Sequence, residues 1–208
     1  MAIDDARGLL IVFSGPSGCG KGTIMERLLA ARDDTMLSVS VTTRAPRPGD
    51  VDGVQYFFRT HEQVEQMIRE DALLEYAQYN GNYYGTPRAA VEEQLAAGRN
   101  VILEIEVQGA LKVMSRVADY VSIFLLPPSM EELERRLRGR GTETEESVQN
   151  RLAAACEEVA QADKYQYLVR NDEVDAAVQR ISTIIDAEKM RCDRSKYILE
   201  DLNYAEPH

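Results

Sequence analysis

The chain has 208 residues and a formal net charge of −11, with only two histidines and three cysteines. That length suffices for one domain with an insertion. The negative charge argues against a general nucleic-acid binder, because phosphate contacts require a basic surface. The sparse cysteines and histidines lack metal-ligand spacing, so neither a disulfide framework nor a metal centre is expected.

Nothing in the sequence indicates a membrane or secreted protein. No stretch approaches the roughly 20 apolar residues that span a bilayer. Residues 1–5 are acidic at positions 4 and 5 and do not follow the basic-then-apolar order of a signal peptide. We therefore expect a cytoplasmic protein whose partners are small molecules rather than membranes or nucleic acids.

The first predicted elements are a strand, a phosphate-binding loop and a helix. Residues 9–13 form an unbroken apolar run, typical of a strand buried on both faces, and helical periodicity begins at Ile24. Between them, Gly15 and Gly20-Lys21 have the spacing of a loop whose backbone N–H groups, helix N-terminus and lysine bind phosphates. This predicts a nucleoside triphosphate site. The loop residues assigned to it are Gly15, Pro16, Ser17, Gly18, Cys19, Gly20, Lys21, Gly22 and Thr23.

Two positions in this loop are unusual. Gly22 stands where the pattern has a serine or threonine whose hydroxyl reaches Mg²⁺, so we expect the ion to be held by Thr23 or through water. Cys19 lies at a helix N-terminus beside Lys21, which is a setting that lowers the pKa of a thiol. We therefore expect Cys19 to be the most reactive of the three cysteines, and bound nucleotide to protect it.

Strands and helices alternate along most of the remaining chain. Further apolar runs at residues 101–105, 120–126 and 167–169 predict buried strands. Helical patterns occupy residues 89–95, 110–117, 130–137 and 174–185. This alternation predicts an α/β fold in which helices flank a parallel sheet.

Two segments interrupt the alternation. Residues 36–86 contain short strand patterns at 38–42 and 55–58 between Pro- and Gly-rich turns, which indicates a small mixed β insertion. Residues 138–150 begin with a glycine-flanked arginine, Arg140, and continue with Thr142 and Glu145 as the capping box of a helix; this is the pattern of a closing lid. We divide the chain into a P-loop core (1–35 and 87–208, with the lid at about 138–150) and the insertion (36–86).

These parts together favour phosphoryl transfer between two nucleotides. A phosphate loop, an insertion bearing Arg44 and Arg47, and an arginine-bearing lid supply cations around a transferring group. Such transfer needs in-line positioning, Mg²⁺ and exclusion of water more than covalent chemistry. When the acceptor is itself a phosphate oxygen no general base is required, so the scarcity of histidine does not count against this interpretation.

The motifs of the insertion and lid make the prediction specific. They occur at residues 41–50, 51–53, 56–58, 75–76, 81–86, 104–109 and 138–143. In this order and spacing they resemble the signature of bacterial-type guanylate kinases, and the resemblance covers residues 8 to about 185. The family implies a P-loop kinase core with a GMP-binding insertion and a lid, and the reaction ATP + GMP = ADP + GDP. It also implies Mg²⁺ as cofactor and a place in purine nucleotide metabolism and GMP recycling, with dGMP expected as a second acceptor.

The resemblance assigns a role to each matching residue on the GMP side. Ser40 and Glu75 would meet the guanine edge, where one carboxylate accepts from N1–H and the 2-amino group together, a pattern adenine cannot match. The residues implied to bind GMP are Ser40, Arg44, Arg47, Tyr56, Glu75, Tyr84, Thr86, Glu104 and Glu106. Of these, Arg44, Arg47, Tyr56 and Tyr84 would bind the GMP phosphate.

On the ATP side the resemblance implies a bridging lysine and two closing arginines. Lys21 would contact the β- and γ-phosphates, and Arg140 and Arg151 would close over the transferring group. Arg136 and Asn171 would lie near the adenine. The catalytic set implied by the family is Lys21, Arg44, Arg140 and Arg151.

Some positions depart from the family pattern, and two other functions remain open. Glu106 stands where aspartate is more common, Asp50 replaces a frequent glutamate, and Gln55 replaces a frequent aspartate. One alternative is a guanylate-kinase-like protein-binding module, which would show an eroded phosphate loop. Another is transfer to a phosphorylated sugar, against which Ser40 and Glu75 argue. The sequence leaves the oligomeric state open.

Overall fold

The computed structural model describes residues 7–139, 144–196 and 198. The strands are β1 (Leu10–Ser14), β2 (Thr35–Leu37), β3 (Val41–Thr42), β4 (Phe57–Phe58), β5 (Leu73–Tyr79), β6 (Asn82–Pro87), β7 (Asn100–Glu104), β8 (Val121–Leu126) and β9 (Tyr167–Arg170). The helices are α1 (Lys21–Ala31), α2 (His61–Arg69), α3 (Arg88–Ala96), α4 (Val107–Arg116), α5 (Met130–Arg138), α6 (Glu145–Val159) and α7 (Val174–Lys189).

The central sheet has five parallel strands in the order β2-β7-β1-β8-β9. In the middle strand β1, Ile11 lies beside Ile102 of β7 and Val121 of β8. The predicted α/β fold with a parallel sheet is therefore confirmed. Because all five strands run the same way, their carboxyl ends meet at one edge, and the phosphate loop follows β1 at that edge.

Helices cover both faces of this sheet because its side chains alternate between them. On one face Ile11 packs with Leu28 of α1 and Ile181 of α7. On the other face Val12 packs with Leu95 of α3. All five side chains are almost fully buried, and each stabilises the fold by roughly 1.5–3 kcal/mol. Among the described residues, no helix is long and apolar enough to cross a membrane.

A second, mixed sheet forms the insertion, with strand order β4-β3-β6-β5. Strand β3 is parallel to β4 and antiparallel to β6, and β5 and β6 form an antiparallel hairpin. Asn80 and Gly81 occupy the tight turn of this hairpin with positive φ angles of 47° and 76°. Such angles suit a two-residue turn that matches the twist of the strands.

The insertion also contains a helix, α2, that the sequence analysis did not predict. Thr60 caps it: the Gln63 backbone N–H donates to the Thr60 hydroxyl at 3.2 Å, and the Thr60 N–H donates to the Gln63 side chain at 2.9 Å. Val64 on the buried face of α2 packs against Val41 and Leu73 of the sheet. The helix therefore supplies the apolar layer that the small sheet needs on one face.

Helices α5 and α6 form a separate packed unit beside the main sheet. Their shared buried side chains are Leu133, Leu137, Val148 and Ala155. Arg138 near the end of α5 pairs with Glu145 at the start of α6, so a charged contact also joins them. Arg140, the predicted lid arginine, lies outside the described residues.

The N-terminal cap of α6 differs from the sequence prediction. Thr144 is the observed N-cap, its hydroxyl accepting from the Ser147 N–H at 3.2 Å. Thr142, which was predicted to cap this helix, lies outside the described residues. Further along α6, Cys156 is exposed, whereas its neighbour Ala155 is buried.

Candidate active site

The phosphate loop connects β1 to α1 at the carboxyl edge of the sheet. Gly18 and Gly20 both have positive φ, 88° and 100°, which L side chains rarely adopt. A Cβ on Gly20 would also lie 2.5 Å from Nδ2 of Asn171. Glycine is therefore required at this turn, after which α1 begins at Lys21 with its N-terminal N–H groups at the loop.

Lys21 bends back over the loop that precedes it. Its Nζ donates to the carbonyl oxygens of Gly15, at 2.6 Å, and Pro16, at 3.2 Å. Desolvation by the surrounding protein raises the pKa of the nearby Glu104 carboxyl, and the Lys21 charge opposes that shift. The loop therefore presents a positive charge where terminal phosphates would sit.

Two residues assigned to the adenine side contact the backbone of the phosphate loop. Asn171, which is buried, donates from Nδ2 to the Cys19 carbonyl at 2.8 Å. Arg136 approaches the same oxygen at 3.5 Å while its Nε donates to Glu132 at 2.8 Å. Both residues therefore contact the phosphate loop, and their contact with adenine stays a prediction.

The structure contradicts the premise on which Cys19 was predicted to be reactive. The Cys19 side chain is fully buried in the core, 3.0 Å from where a Cβ on Gly15 would lie. Burial raises the pKa of the thiol, and this outweighs the lowering effect of Lys21. The Cys19 sulfur therefore faces the core, and Cys19 contributes only its backbone to the surface of the loop. Cys156 and Cys192, by contrast, are exposed.

Helix α6 reaches the phosphate loop from the other side. Nη2 of Arg151 donates to the Ser17 hydroxyl at 3.0 Å, so this predicted catalytic arginine lies at the loop. Further along the same helix, burial raises the pKa of the Glu158 carboxyl, and the charge of Lys21 and the backbone of Ser17 oppose that shift. The sequence analysis missed Glu158; its position seven residues after Arg151, on the same face of one helix, was the available signal.

On the GMP side, Glu75 and Thr86 form a buried pair across β5 and β6. The Thr86 hydroxyl donates to Oε1 of Glu75 at 2.8 Å, and both side chains are buried. Burial raises the pKa of the Glu75 carboxyl, an effect to which nearby Glu106 adds. Ser40 lies one residue beyond the Val41–Gly85 pair, which places it opposite Thr86. The three predicted base-contacting residues therefore share one row of the insertion sheet.

The predicted phosphate-binding residues surround one arginine. The Arg44 guanidinium pairs with Asp50 at 2.9 Å and lies over the Tyr56 ring at 5.3 Å. Tyr56 in turn meets Tyr84 edge-on, with ring centroids 5.9 Å apart. The Arg47 backbone N–H donates to Asp50 at 2.8 Å, and its side chain is exposed. Asp50 therefore orients the Arg44 guanidinium and binds the backbone of Arg47, contacts that the sequence analysis did not predict.

Glu104 and Glu106 lie at the end of β7, between the two sheets. Glu106 is the N-cap of α4, accepting from the Gly109 N–H at 3.0 Å and from the Gln108 N–H at 3.3 Å. A cleft of about 520 Å³ is lined by Glu106 together with Tyr84 and residues 77–79 of β5. Glu106 thus combines a capping role with a place beside the insertion.

Residues 7–188 match the sequence model of the guanylate kinase family. The chain belongs to that family. It is 54% identical over 204 residues to the guanylate kinase of Clostridium perfringens, covering 98% of this chain and 94% of that protein. The guanylate kinase of Streptococcus agalactiae is 56% identical over 189 residues, 90% of each chain. The crystal structure of guanylate kinase from Anaplasma phagocytophilum superposes with a TM-score of 0.73 at 34% identity, covering 99% of this chain and all of that one.

Membership of the guanylate kinase family identifies the chain as a nucleotide-binding kinase, and it supports ATP-dependent phosphorylation of GMP. The family also makes Mg²⁺ the expected ion. Among the residues that the structure describes, no cluster of three or more His, Cys, Asp or Glu side chains could hold a metal. The exposed Thr23 and the open space around Gly22 fit an ion held mainly by nucleotide phosphates and water, as Mg²⁺ commonly is.

Proposed function

We propose that this protein transfers the γ-phosphoryl group of ATP to GMP in line, with dGMP as a second acceptor. The observation that carries the proposal is the position of the buried Glu75–Thr86 pair beside the P-loop core. Oε2 of Glu75 lies 3.2 Å from where a Cβ on Gly109 would be, and Gly109 belongs to the first turn of α4. Because α4 follows β7 at the edge that bears the phosphate loop, a base bound at Glu75 lies at the same edge of the central sheet as that loop.

The acceptor site recognises guanine through hydrogen-bond polarity. In the proposed complex the Glu75 carboxylate accepts from guanine N1–H and the 2-amino group. Ser40 and Thr86, in the same row of the sheet, orient the base and the carboxylate. Adenine presents no donor at N1, so the buried carboxylate would lose the hydrogen bonds that guanine donates to it, and sites of this kind discriminate by about 10⁴-fold or more.

The acceptor phosphate binds at the arginine cluster of the insertion. Arg44 and Arg47 would hold it by forked, charge-assisted hydrogen bonds, with the hydroxyls of Tyr56 and Tyr84 as further donors. The Arg44 guanidinium is already oriented by Asp50 and by the Tyr56 ring. None of these roles uses the ribose 2′-hydroxyl, which is why dGMP is expected to serve as well as GMP.

The donor binds at the loop from Gly15 to Thr23, with Lys21 on the β- and γ-phosphates. Bound Mg²⁺ supplies charge neutralisation at these phosphates and comes with the nucleotide. The protein's own contribution is positioning: loop N–H groups hold the donor, and Arg151 reaches the transferring group from α6. We assign residues 138–150 as a lid that excludes water, and Arg140, which lies outside the described residues, as its second cation.

The role of the lid arginine, Arg140, can be tested against an exposed arginine of the neighbouring helix. Arg140→Ala is expected to lower turnover by about 10³-fold, comparable to loss of a charge-stabilising arginine in other phosphoryl transferases. Arg135→Ala removes an exposed cation from the neighbouring helix α5 and should leave turnover within about twofold. Near-normal activity of Arg140→Ala would refute the lid assignment.

One assay tests the proposed reaction. ADP release, coupled to an indicator reaction, is followed with GMP, dGMP, AMP, CMP and UMP as acceptors at equal concentrations. The proposal predicts turnover with GMP and dGMP and none above background with the other three. Comparable turnover with AMP would show that Glu75 does not read the base. This activity places the protein in purine nucleotide metabolism, as a cytoplasmic enzyme that returns GMP to the GDP pool.

A further inference from the structure

The loop that follows β3 places one carboxylate between the two arginines that are proposed to bind the acceptor phosphate. Oδ2 of Asp50 lies 2.9 Å from Nη1 of Arg44, and the Arg47 backbone N–H donates to the same oxygen at 2.8 Å. The side chains of Arg44 and Asp50 are each only 16% exposed. A single oxygen atom therefore joins the residues that carry both arms of the proposed phosphate site.

The backbone of this loop holds Asp50 close to Arg47. The Asp50 N–H donates to the Arg47 carbonyl at 2.9 Å, which closes a four-residue turn with Pro48 and Gly49 in the middle. Gly49 has a φ of 93°, so proline in the second position and a positive-φ glycine in the third match a type II turn. The Asp50 side chain reaches back across this turn to the Arg47 N–H. The turn therefore fixes where Asp50 lies relative to Arg47.

Asp50 is one of several contacts that hold the Arg44 guanidinium. Nη1 of Arg44 also donates to the carbonyl of the next residue at 2.8 Å, and Cζ lies 5.3 Å from the centroid of the Tyr56 ring and 5.5 Å from that of Phe58. Both polar contacts use Nη1, so the guanidinium can still present Nε and Nη2 to a phosphate as a fork. The ion pair with Asp50 connects this oriented guanidinium to the type II turn.

We propose that Asp50 is a positioning residue for the acceptor, whose carboxylate sets the separation of Arg44 and Arg47 so that both bind one GMP phosphate. The inference rests on the proposed GMP site and deepens it, because Asp50 acts through the two arginines and needs no contact with the nucleotide. Without this carboxylate the ligand itself would have to order two long side chains, and that cost weakens binding.

The negative charge of Asp50 also has an opposing effect, because it repels a bound phosphate. The bond from the Arg47 N–H and the contact with Arg44 hold the pKa of the Asp50 carboxyl below its usual range, so the group is ionised at neutral pH. Orientation and repulsion predict opposite changes in GMP affinity when this charge is removed. We expect orientation to dominate, since the Arg44 charge beside the carboxylate offsets most of the repulsion.

The test removes the charge and measures GMP binding by calorimetry in the absence of ATP. Asp50→Asn keeps an oxygen that can accept from the Arg47 N–H but loses the ion pair with Arg44, so the affinity for GMP should fall about tenfold. Asp52→Asn is the matched control, because it removes the same charge from an exposed carboxylate of the same loop that pairs with Arg59. Its affinity for GMP should stay within about twofold of the wild type.

A ligand without phosphate and two further variants show how Asp50 acts. Guanosine carries the base alone, so Asp50→Asn and the wild type should bind it equally. Asp50→Glu keeps the charge and should bind GMP within about threefold of the wild type. In an Arg44→Gln background, Asp50→Asn should change the affinity for GMP by less than about twofold, because the group that Asp50 orients is gone. Thermal melting of each variant checks that the fold is retained.

Each comparison can overturn the inference. Unchanged or tighter GMP binding by Asp50→Asn would show that the carboxylate does not prepare the phosphate site, and an equal loss with guanosine would show a general change of the insertion. Binding by Asp50→Glu as weak as by Asp50→Asn, or a full tenfold loss in the Arg44→Gln background, would show that the ion pair is not the cause. A wild type that bound GMP without phosphorylating it would contradict the proposed reaction alone, whereas a wild type that bound no GMP would contradict both.

Discussion

Replacing Glu75 by glutamine separates the role that we propose for its carboxylate, reading guanine, from the effect of that carboxylate on stability. The carboxylate is buried, accepts one bond from Thr86 at 2.8 Å, and has its pKa raised mainly by desolvation. Glutamine has nearly the same shape and keeps one carbonyl oxygen. Its amide nitrogen, however, is a donor where guanine also presents donors.

The expected loss of GMP use follows from the hydrogen bonds that change in the proposed complex. One charge-assisted bond to guanine is lost, at about 1.5–3 kcal/mol, and one buried donor is left without an acceptor, at about 1–3 kcal/mol. A combined cost of about 3–4 kcal/mol corresponds to a 10²–10³-fold fall in kcat/KM for GMP. ATP binding should be nearly unchanged, because Glu75 lies on the insertion sheet.

The same substitution should stabilise the protein without nucleotide at neutral pH. A carboxyl whose pKa is raised on folding favours the fold at pH values below its unfolded pKa, and that advantage is lost as pH rises through the folded pKa. Glutamine does not ionise, so this loss of stability does not occur in the variant. We therefore expect the free energy of unfolding to rise by about 1 kcal/mol at pH 7, or the Tm by roughly 2–4 °C. The difference in Tm should shrink as the pH falls toward about 4.3, the ordinary value for glutamate.

The assay pairs steady-state kinetics with thermal melting across pH 4–8. Glu65→Gln, an exposed carboxylate on α2 of the same insertion, is the matched control and should alter neither quantity. A Glu75→Gln protein that used GMP normally would refute the base-reading role. A variant that melted lower at pH 7 than the wild type would refute the argument from burial.

Three further predictions concern other parts of the chain. Lys21→Ala should lower turnover by at least about 10³-fold with little change in Tm, and near-normal turnover would contradict the loop assignment. Brief iodoacetamide treatment followed by mass spectrometry should label Cys156 and Cys192 well before the buried Cys19; early labelling of Cys19 would contradict its placement. The bond from Arg32 holds the pKa of Asp34 well below its usual range, so Asp34→Asn should cost about 1 kcal/mol at pH 7. That cost should fade as the pH drops below about 3.9, and chemical denaturation at several pH values would measure it. A cost that persisted at low pH would show that the ion pair is not its cause.

Much of the fold was predictable because local pattern and tertiary structure agree in the core. The apolar run of β1 is buried on both faces, and the glycine spacing that follows it matches the observed turn. The insertion was harder, since its strands are short and its helix carries only one fully buried side chain, Val64. Two local signals were nevertheless present and unused: Thr60 with Gln63 as a capping box, and Asn80-Gly81 as a hairpin turn.

Within the site, residue type was more predictable than environment. The spacing of the phosphate loop located Cys19 correctly, but only the packed structure shows that its sulfur faces the core rather than the ligand. Similarly, folding pairs Asp50 with Arg44 and brings Arg151 of α6 to Ser17 of the phosphate loop. Such contacts between distant segments leave little trace in a single sequence.

Internal competition between acceptors tests the central claim most directly. The wild-type protein is given ATP labelled at the γ-phosphate with equimolar GMP and AMP, and the labelled diphosphates are separated early in the reaction. Because both acceptors share one enzyme, the product ratio equals the ratio of their kcat/KM values. We predict that the amount of labelled GDP exceeds that of labelled ADP by about 10⁴-fold or more, as for sites that hydrogen-bond their substrate through buried polar groups. Label divided comparably between GDP and ADP would contradict the account.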